Sequence, residues 1–269
     1  SNLIEINLGD GEKQYLYYDD SILLKRLSLY PYVQLGVMVL FVLIVYFALI
    51  STKKAEQNKV WVGLSKETAH QLGTPISSLM AWMDLLESSG VDPSLLSDMN
   101  KDVNRLSVIA ERFSKIGSKP EMELIYVNEV LENATEYMRR RVSDKVLITT
   151  HLPSDAEGAM VCLSLFEWVI ENLCKNAVDA MNGEGRIDVY MTSEKQQIYI
   201  DIKDTGKGIA RKNFKTVFNP GYTTMKRGWG LGLTLAKRII EDYHAGRIYV
   251  KDSEVGKGTT FRIELKRVV

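Results

Sequence analysis

An excess of charge of either sign is missing from this chain: 34 basic side chains balance 34 acidic ones across 269 residues. No global field therefore draws it to nucleic acid or to an acidic surface, and no nucleic-acid partner is expected. Cysteine is almost absent. The only two, Cys162 and Cys174, fall in a segment of helical pattern without metal-ligand spacing or neighbouring histidines, which fits a reduced compartment. His70, His151 and His244 are too far apart in sequence to suggest a histidine-based metal site. Internal repeats and low-complexity tracts are lacking as well. The apolar and charged fractions, 45% and 25%, are ordinary for globular protein, and the length suits two modest domains with appendages.

One long apolar run is present. Pro31 to Ile50 is apolar apart from Gln34, and as a helix it would span about 30 Å, the thickness of a bilayer's hydrocarbon core. We expect a transmembrane helix over residues 30–51, touching membrane lipid through residues 31–50, with Tyr30 and Tyr32 at one interface and Lys53 and Lys54 at the other. A buried core helix and a signal sequence are the competing readings of such a run. Upstream, Leu3 to Leu8 and Gln14 to Tyr18 read as short strands around the turn signal Gly9-Asp10-Gly11. Residues 1–29 are read as the remnant of a larger extracytoplasmic domain, because the chain begins without an initiator methionine.

Residues 52–118 carry helical periodicity. Leu72, Ile76, Leu79, Met83 and Leu86 step by four and three, a coiled-coil-like seam, and Leu96, Met99, Val103, Leu106, Ala110 and Phe113 answer it. The break at Gly90 to Pro93 predicts an antiparallel hairpin. Two helices alone bury little, so pairing with a second copy as a homodimeric four-helix bundle is expected. With His70 at zero on a wheel of about 100° per residue, the seam clusters near 200°, so His70 faces solvent. Glu67 and Thr74 share its face one turn to either side. Pro75 cannot donate to the Gln71 carbonyl, so a bend is expected just after His70.

Beyond Lys119-Pro120, residues 119–269 alternate helices with strands at Ile187 to Thr192, Gln197 to Lys203, Arg247 to Lys251 and Thr260 to Lys266. Asn172, Asn176 and Asp179 lie on one face of a helix, which in a purely structural helix would simply be solvated. Asp204-Thr205-Gly206-Lys207-Gly208-Ile209 places a carboxylate at a strand's end before a glycine turn. Gly228-Trp229-Gly230-Leu231-Gly232-Leu233 precedes a helix expected to run to about Tyr243, and its amides suit triphosphate oxygens. Gly256-Lys257-Gly258-Thr259-Thr260-Phe261 enters the last strand.

His70-Gln71-Leu72-Gly73-Thr74-Pro75 resembles the phosphoacceptor box of sensor histidine kinases, and the later motifs resemble, in order, the N box, G1 box, F box, lid with the glycine run after it, and G3 turn of the GHKL-type ATP-binding fold. The resemblance covers roughly Lys66 to Leu265. It implies a multidomain α+β chain: a transmembrane helix, a dimerisation and phosphotransfer hairpin, and an α/β sandwich with helices on one face of a mixed sheet. It further implies ATP and Mg²⁺ as cofactors, with Asn176 as the metal ligand and Asn172 near the phosphates. Asp204 would accept from the adenine amino group, and Asp179, Gly206, Gly208, Gly230, Gly232 and Thr259 would complete the pocket. Phe218 and Thr223-Thr224 match the F box and lid, with Lys226, Arg227 and Gly228 beside the phosphates. His70 would be the phosphorylated residue, and Thr74 would orient water for dephosphorylation of a partner. Gln71 can fix the imidazole tautomer but cannot take up a proton, so either Glu67 on the same face substitutes for the usual base or Gln71 alone suffices by positioning.

Departures from the usual boxes are Gln71 for an acid, Gly73 for an arginine and Trp229 for a small residue. The implied activity is an ATP-dependent protein-histidine kinase that passes its phosphoryl group to a response-regulator receiver aspartate, with phosphatase activity toward the same partner. Because ATP is cytosolic, the catalytic part would be cytoplasmic and the chain anchored in a bacterial inner membrane. The rival functions are a GHKL-type ATPase clamp, against which the exposed His70 argues, and a catalytically weak regulator-binding scaffold, which Gln71 keeps open.

Overall fold

The computed structural model of the chain describes residues 2–7, 13–18, 22–118, 120–223 and 230–268. It divides into two compact units, residues 1–61 and 62–269. The first contains an antiparallel pair, β1 (Asn2–Asn7) and β2 (Lys13–Tyr18), with an ion pair of Lys13 on Glu5. The turn signal at Gly9 to Gly11 lies outside the described residues. Helix α1 (Ile22–Ser88) follows, and its stretch from Leu29 to Lys53 is long and apolar enough to cross a membrane, with a mean hydropathy of 2.7.

In the second unit, α1 continues through Pro75 as unbroken helix; the bend expected there produces no interruption. Ser77 and Ser78 donate their hydroxyls to the carbonyls of Gly73 and Thr74, holding the turn around the proline. The chain reverses at Gly90 (φ 78°), and α2 (Pro93–Gly117) starts with Asp92, whose side chain accepts from the Ser94 amide, and proline in its first turn. Ile76 and Met83 pack against Val103 and Ala110, with Leu72 alongside. Leu96 is buried and Phe113 half-buried, whereas Leu79, Leu86, Met99 and Leu106 of the expected seam are exposed.

The remaining elements are β3 (Glu123–Tyr126), α3 (Val127–Arg139), β4 (Val146–His151), β5 (Gly158–Val161) and α4 (Leu163–Ala180). After them come β6 (Gly185–Glu194), β7 (Gln197–Asp204), α5 (Gly232–Arg238), β8 (Arg247–Glu254) and β9 (Gly258–Val268). They build a 7-stranded mixed sheet in the order β3-β5-β9-β7-β6-β4, with β8 also on β9 and with β4 and β6 parallel. Alternation sorts the strands' side chains. Ile187, Val189, Ile198, Ile200, Ile202, Ile263 and Leu265 point under the helices, where they meet Phe166, Val169, Ile170 and Leu173 of α4 and Ile239 and Ile240 beyond α5. Each such burial is worth about 1.5–3 kcal/mol relative to exposure, which fixes the sheet register and the level of α4 on it.

The opposite face of the sheet stays polar and satisfies itself. Asp201 binds Arg262 through paired bonds of 2.6 and 2.7 Å and Lys251 at 2.6 Å, while Glu264 accepts from Tyr249. Burial pushes the Asp201 carboxyl up, but the Arg262 and Lys251 partners outweigh it and hold it below the usual carboxylate range.

Candidate functional site

A cleft of about 410 Å³ opens beside α4, a size suited to a small-molecule ligand. Its polar wall is the face of α4 that carries Asn172, Asn176 and Asp179, as their helical spacing predicts. The buried amide nitrogens of Asn172 and Asn176 have no hydrogen-bond partner among the described residues. Unpartnered buried amides are costly, and two on one face point at a ligand that would satisfy them. An asparagine head can turn its oxygen inward instead, and amide oxygen is a hard donor, so the pair fits Mg²⁺ and phosphate. Gly232, at the start of α5, lies against both residues: a β-carbon there would sit 3.7 Å from Asn172 Oδ1 and 4.0 Å from Asn176 Nδ2.

At the other end Asp204 closes β7. It is buried, and its Oδ1 accepts from the amides of Gly206 at 2.7 Å and Thr259 at 3.3 Å. Burial pushes its pKa up, against the pull of those two amides. Thr259 shares a 2.9 Å hydroxyl contact with Ser253, whose oxygen accepts from the Ile209 amide. Ile209, Val217, Tyr222, Leu233 and Phe261 supply an apolar lining of the kind a flat base needs. Phe218 packs edge-on to Phe261, and its carbonyl takes the Thr234 hydroxyl, tying the F-box segment to α5.

Of the sequence-predicted pocket residues, Asn172, Asn176, Asp179, Asp204, Gly208, Gly230, Gly232 and Thr259 line this cleft. Gly206 does not. A β-carbon on it would come within 2.8 Å of the Ala180 backbone, so this glycine serves the packing of the turn under α4. Gly208 (φ 71°) likewise meets the Glu254 backbone. Lys226, Arg227, Gly228, Trp229 and Thr224 lie outside the described residues. Sequence reasoning missed Lys175 and Lys207, which also line the cleft. Lys175 was legible in principle, three residues after Asn172 on the same helix.

On the hairpin, His70 is exposed and borders two concavities of α1. One contains Lys66 and Glu67 and reaches Ser107, Glu111 and Ser114 of α2; the other contains Thr74 and Ser77. The two expected helpers of the imidazole are tied to each other, since the Gln71 amide donates to Glu67 at 2.7 Å. That bond uses the Gln71 nitrogen and leaves its oxygen free to accept.

The end of α2 clasps α4. Arg112 holds Glu171 with two parallel bonds of 2.8 and 2.7 Å, and its guanidinium lies 5.6 Å from the Trp168 ring centre, which also meets Phe113 edge-on. Lys115 donates to Ser164, and the Tyr243 hydroxyl donates to the Ile116 carbonyl at 2.6 Å. Behind the cleft α5 runs into a π-helical turn, Ile239–Tyr243. His244 ends it, with Nδ1 2.7 Å from the Ile239 carbonyl and Nε2 accepting from the Cys162 amide that opens α4. Burial pushes the His244 pKa down, keeping it neutral with its proton on Nδ1.

Residues 163–269 match the family model described as histidine kinase-, DNA gyrase B-, and HSP90-like ATPase. The chain is similar to sporulation kinase A of Bacillus subtilis (strain 168), 26% identical over 220 residues, which cover 80% of this chain and 36% of that protein. Sporulation kinase E of the same organism is 29% identical over 220 residues, covering 79% of this chain and 29% of that one. The chain thus spans about a third of the length of these relatives. A solved structure of histidine kinase ThkA in complex with response regulator protein TrrA has a similar fold, with a TM-score of 0.53 and 19% identity, covering 80% of this chain and 64% of that one.

Proposed function

We propose that this chain, homologous to sporulation kinases and sensor histidine kinases and built around an ATP-binding domain of the histidine kinase, gyrase B and HSP90 type, phosphorylates its own His70 and hands the phosphoryl group to a response-regulator aspartate. The carrying observation is the pairing of an outward-facing His70 on the hairpin with a cleft whose two asparagine amides await a partner. Adenine fits the apolar end with its amino group on Asp204, and the triphosphate extends toward Asn172, Asn176 and the Gly230 to Gly232 turn. Asn176 would hold Mg²⁺, which when bound would supply positive charge against the phosphate oxygens.

A His70 ring nitrogen attacks the γ-phosphorus in line; the phosphorus–nitrogen bond forms as the bond to the ADP oxygen breaks. Gln71, steadied by Glu67, offers its oxygen to the other ring nitrogen and so fixes the tautomer without taking the proton. Thr74 lines the same concavity as His70, which supports a role for its hydroxyl in orienting water during dephosphorylation of the regulator. The domain plan follows: residues 1–29 outside, 30–51 in a bacterial inner membrane, 52–118 the dimeric phosphotransfer hairpin, and 119–269 catalytic and cytoplasmic. That the similar ThkA was solved with a response regulator supports the choice of partner.

Incubation with γ-labelled ATP tests this. Acid-labile, alkali-stable label on the wild-type protein and none on His70→Ala is the expected outcome. Release of free phosphate with no label on the chain would assign an ATPase clamp instead.

A further inference from the structure

On a wheel of about 100° per residue with Glu171 at zero, α4 presents Ser164 near 20° and Trp168 near 60°, the stripe clasped by α2. Asp179, Asn172 and Asn176 follow near 80°, 100° and 140°, the stripe that lines the cleft. Lys175, near 40°, falls within the angular range of the first stripe, on the side of Glu171 that turns toward the second. It lines the cleft, and it makes no ion pair or side-chain hydrogen bond among the described residues. Its helical carboxylate neighbours stand one turn to either side, Glu171 before it and Asp179 after it. A glutamate four residues ahead of a lysine is the favoured order for a helical ion pair, yet here Glu171 is fully engaged by the fork of Arg112.

Resting on the nucleotide reading of the cleft, we infer that Lys175 is a phosphate-binding residue, and that its charge is available to the nucleotide only while Arg112 of the hairpin occupies Glu171. An ammonium on a flexible stem binds phosphate as a point charge and needs no preset fork. When α2 lets go, Glu171 is left without its guanidinium and captures Lys175, removing a cation from the phosphate end. Hairpin contact and nucleotide binding therefore strengthen each other, and by linkage the nucleotide tightens the clasp by the same factor. Glu171 and Arg112 act through Lys175, as positioning residues.

Binding of trinitrophenyl-ATP to the whole chain, with displacement by ADP and by adenosine, tests this. Lys175→Ala loses about tenfold in affinity for the ATP analogue and ADP and nothing for adenosine. Arg112→Ala loses nearly as much, Arg112→Ala with Glu171→Gln regains wild-type affinity, and Arg112→Ala adds no further loss to Lys175→Ala. If the Arg112→Ala loss persists in the Glu171→Gln background, or if adenosine weakens along with ADP, the exchange of partners is wrong. A wild-type chain that binds the analogue but is indifferent to Lys175→Ala overturns this inference alone. A wild-type chain that binds no nucleotide sinks the function proposed above.

Discussion

Asp204 is a carboxylate placed where ionisation is harder than in water, since burial raises its pKa while two backbone amides only partly offset that. An asparagine in its place retains an oxygen for the Gly206 and Thr259 amides and removes the charge. Its NH₂ would then face the adenine amino group, donor against donor, at a cost of about 1–3 kcal/mol. Asp204→Asn should therefore melt at or above the wild-type temperature by calorimetry while losing tenfold or more in ATP affinity by titration. A variant that melts lower and binds normally would remove Asp204 from the ligand's end of the cleft. The sequence motif identified this residue and its strand-end position; what it could not show was the fate of the neighbouring glycines. Gly206 was expected to admit the nucleotide, but the space its β-carbon would need is occupied by the turn's own scaffold at Ala180.

Elements adjoining the cleft depend on one histidine. The π-helical turn Ile239–Tyr243 and the start of α4 are joined through the two ring nitrogens of His244, one bonded to the Ile239 carbonyl and the other accepting from the Cys162 amide. Protonation would destroy the acceptor. The folded-state pKa is depressed below the ordinary 6.5, so the unfolded chain takes up the proton first as pH falls. This stabilisation is complete above about pH 6.5 and is lost on acidification through that value toward the lower folded pKa, with a slope of at most about 1.4 kcal/mol per pH unit. Urea unfolding between pH 7.5 and 5 should show this loss, and His244→Gln should flatten it; identical profiles for both proteins would refute the role. Periodicity revealed a helix running to about Tyr243 but not its change to π geometry, because that change is imposed by long-range contacts to Cys162 and Ile116. The four strands expected at Ile187, Gln197, Arg247 and Thr260 were found, each extended at one or both ends by pairing with its neighbours in the sheet, including the hairpins β6–β7 and β8–β9.

At the scale of the whole molecule, half of the hairpin's apolar seam has no cover. Ile76, Met83, Val103 and Ala110 fill the space between α1 and α2, whereas Leu79, Leu86, Met99 and Leu106 of the seam face outward, with Trp82 (64% exposed) and Leu85 (57% exposed) beside them. Periodicity showed every one of the stepping positions but not which would be buried within a single copy. We expect a homodimer through this bare face. Replacing Leu79 and Leu106 with glutamate should give a monomer in sedimentation at micromolar concentration, with trinitrophenyl-ATP still bound. A dimer that survives both changes would place the contact elsewhere.

The polar face of the seven-stranded sheet, where Asp201, Arg262, Lys251, Tyr249 and Glu264 answer one another, has a mechanical consequence. A wall with its charges neutralised at home needs no neighbour and is already at equilibrium with water, so the module behind it is stable whichever way it is turned. Freedom to pivot would then rest on the clasp that Arg112, Phe113, Lys115 and Ile116 make with α4 and Tyr243, and on the proposed function the domain could detach at that corner without baring a second sticky flank.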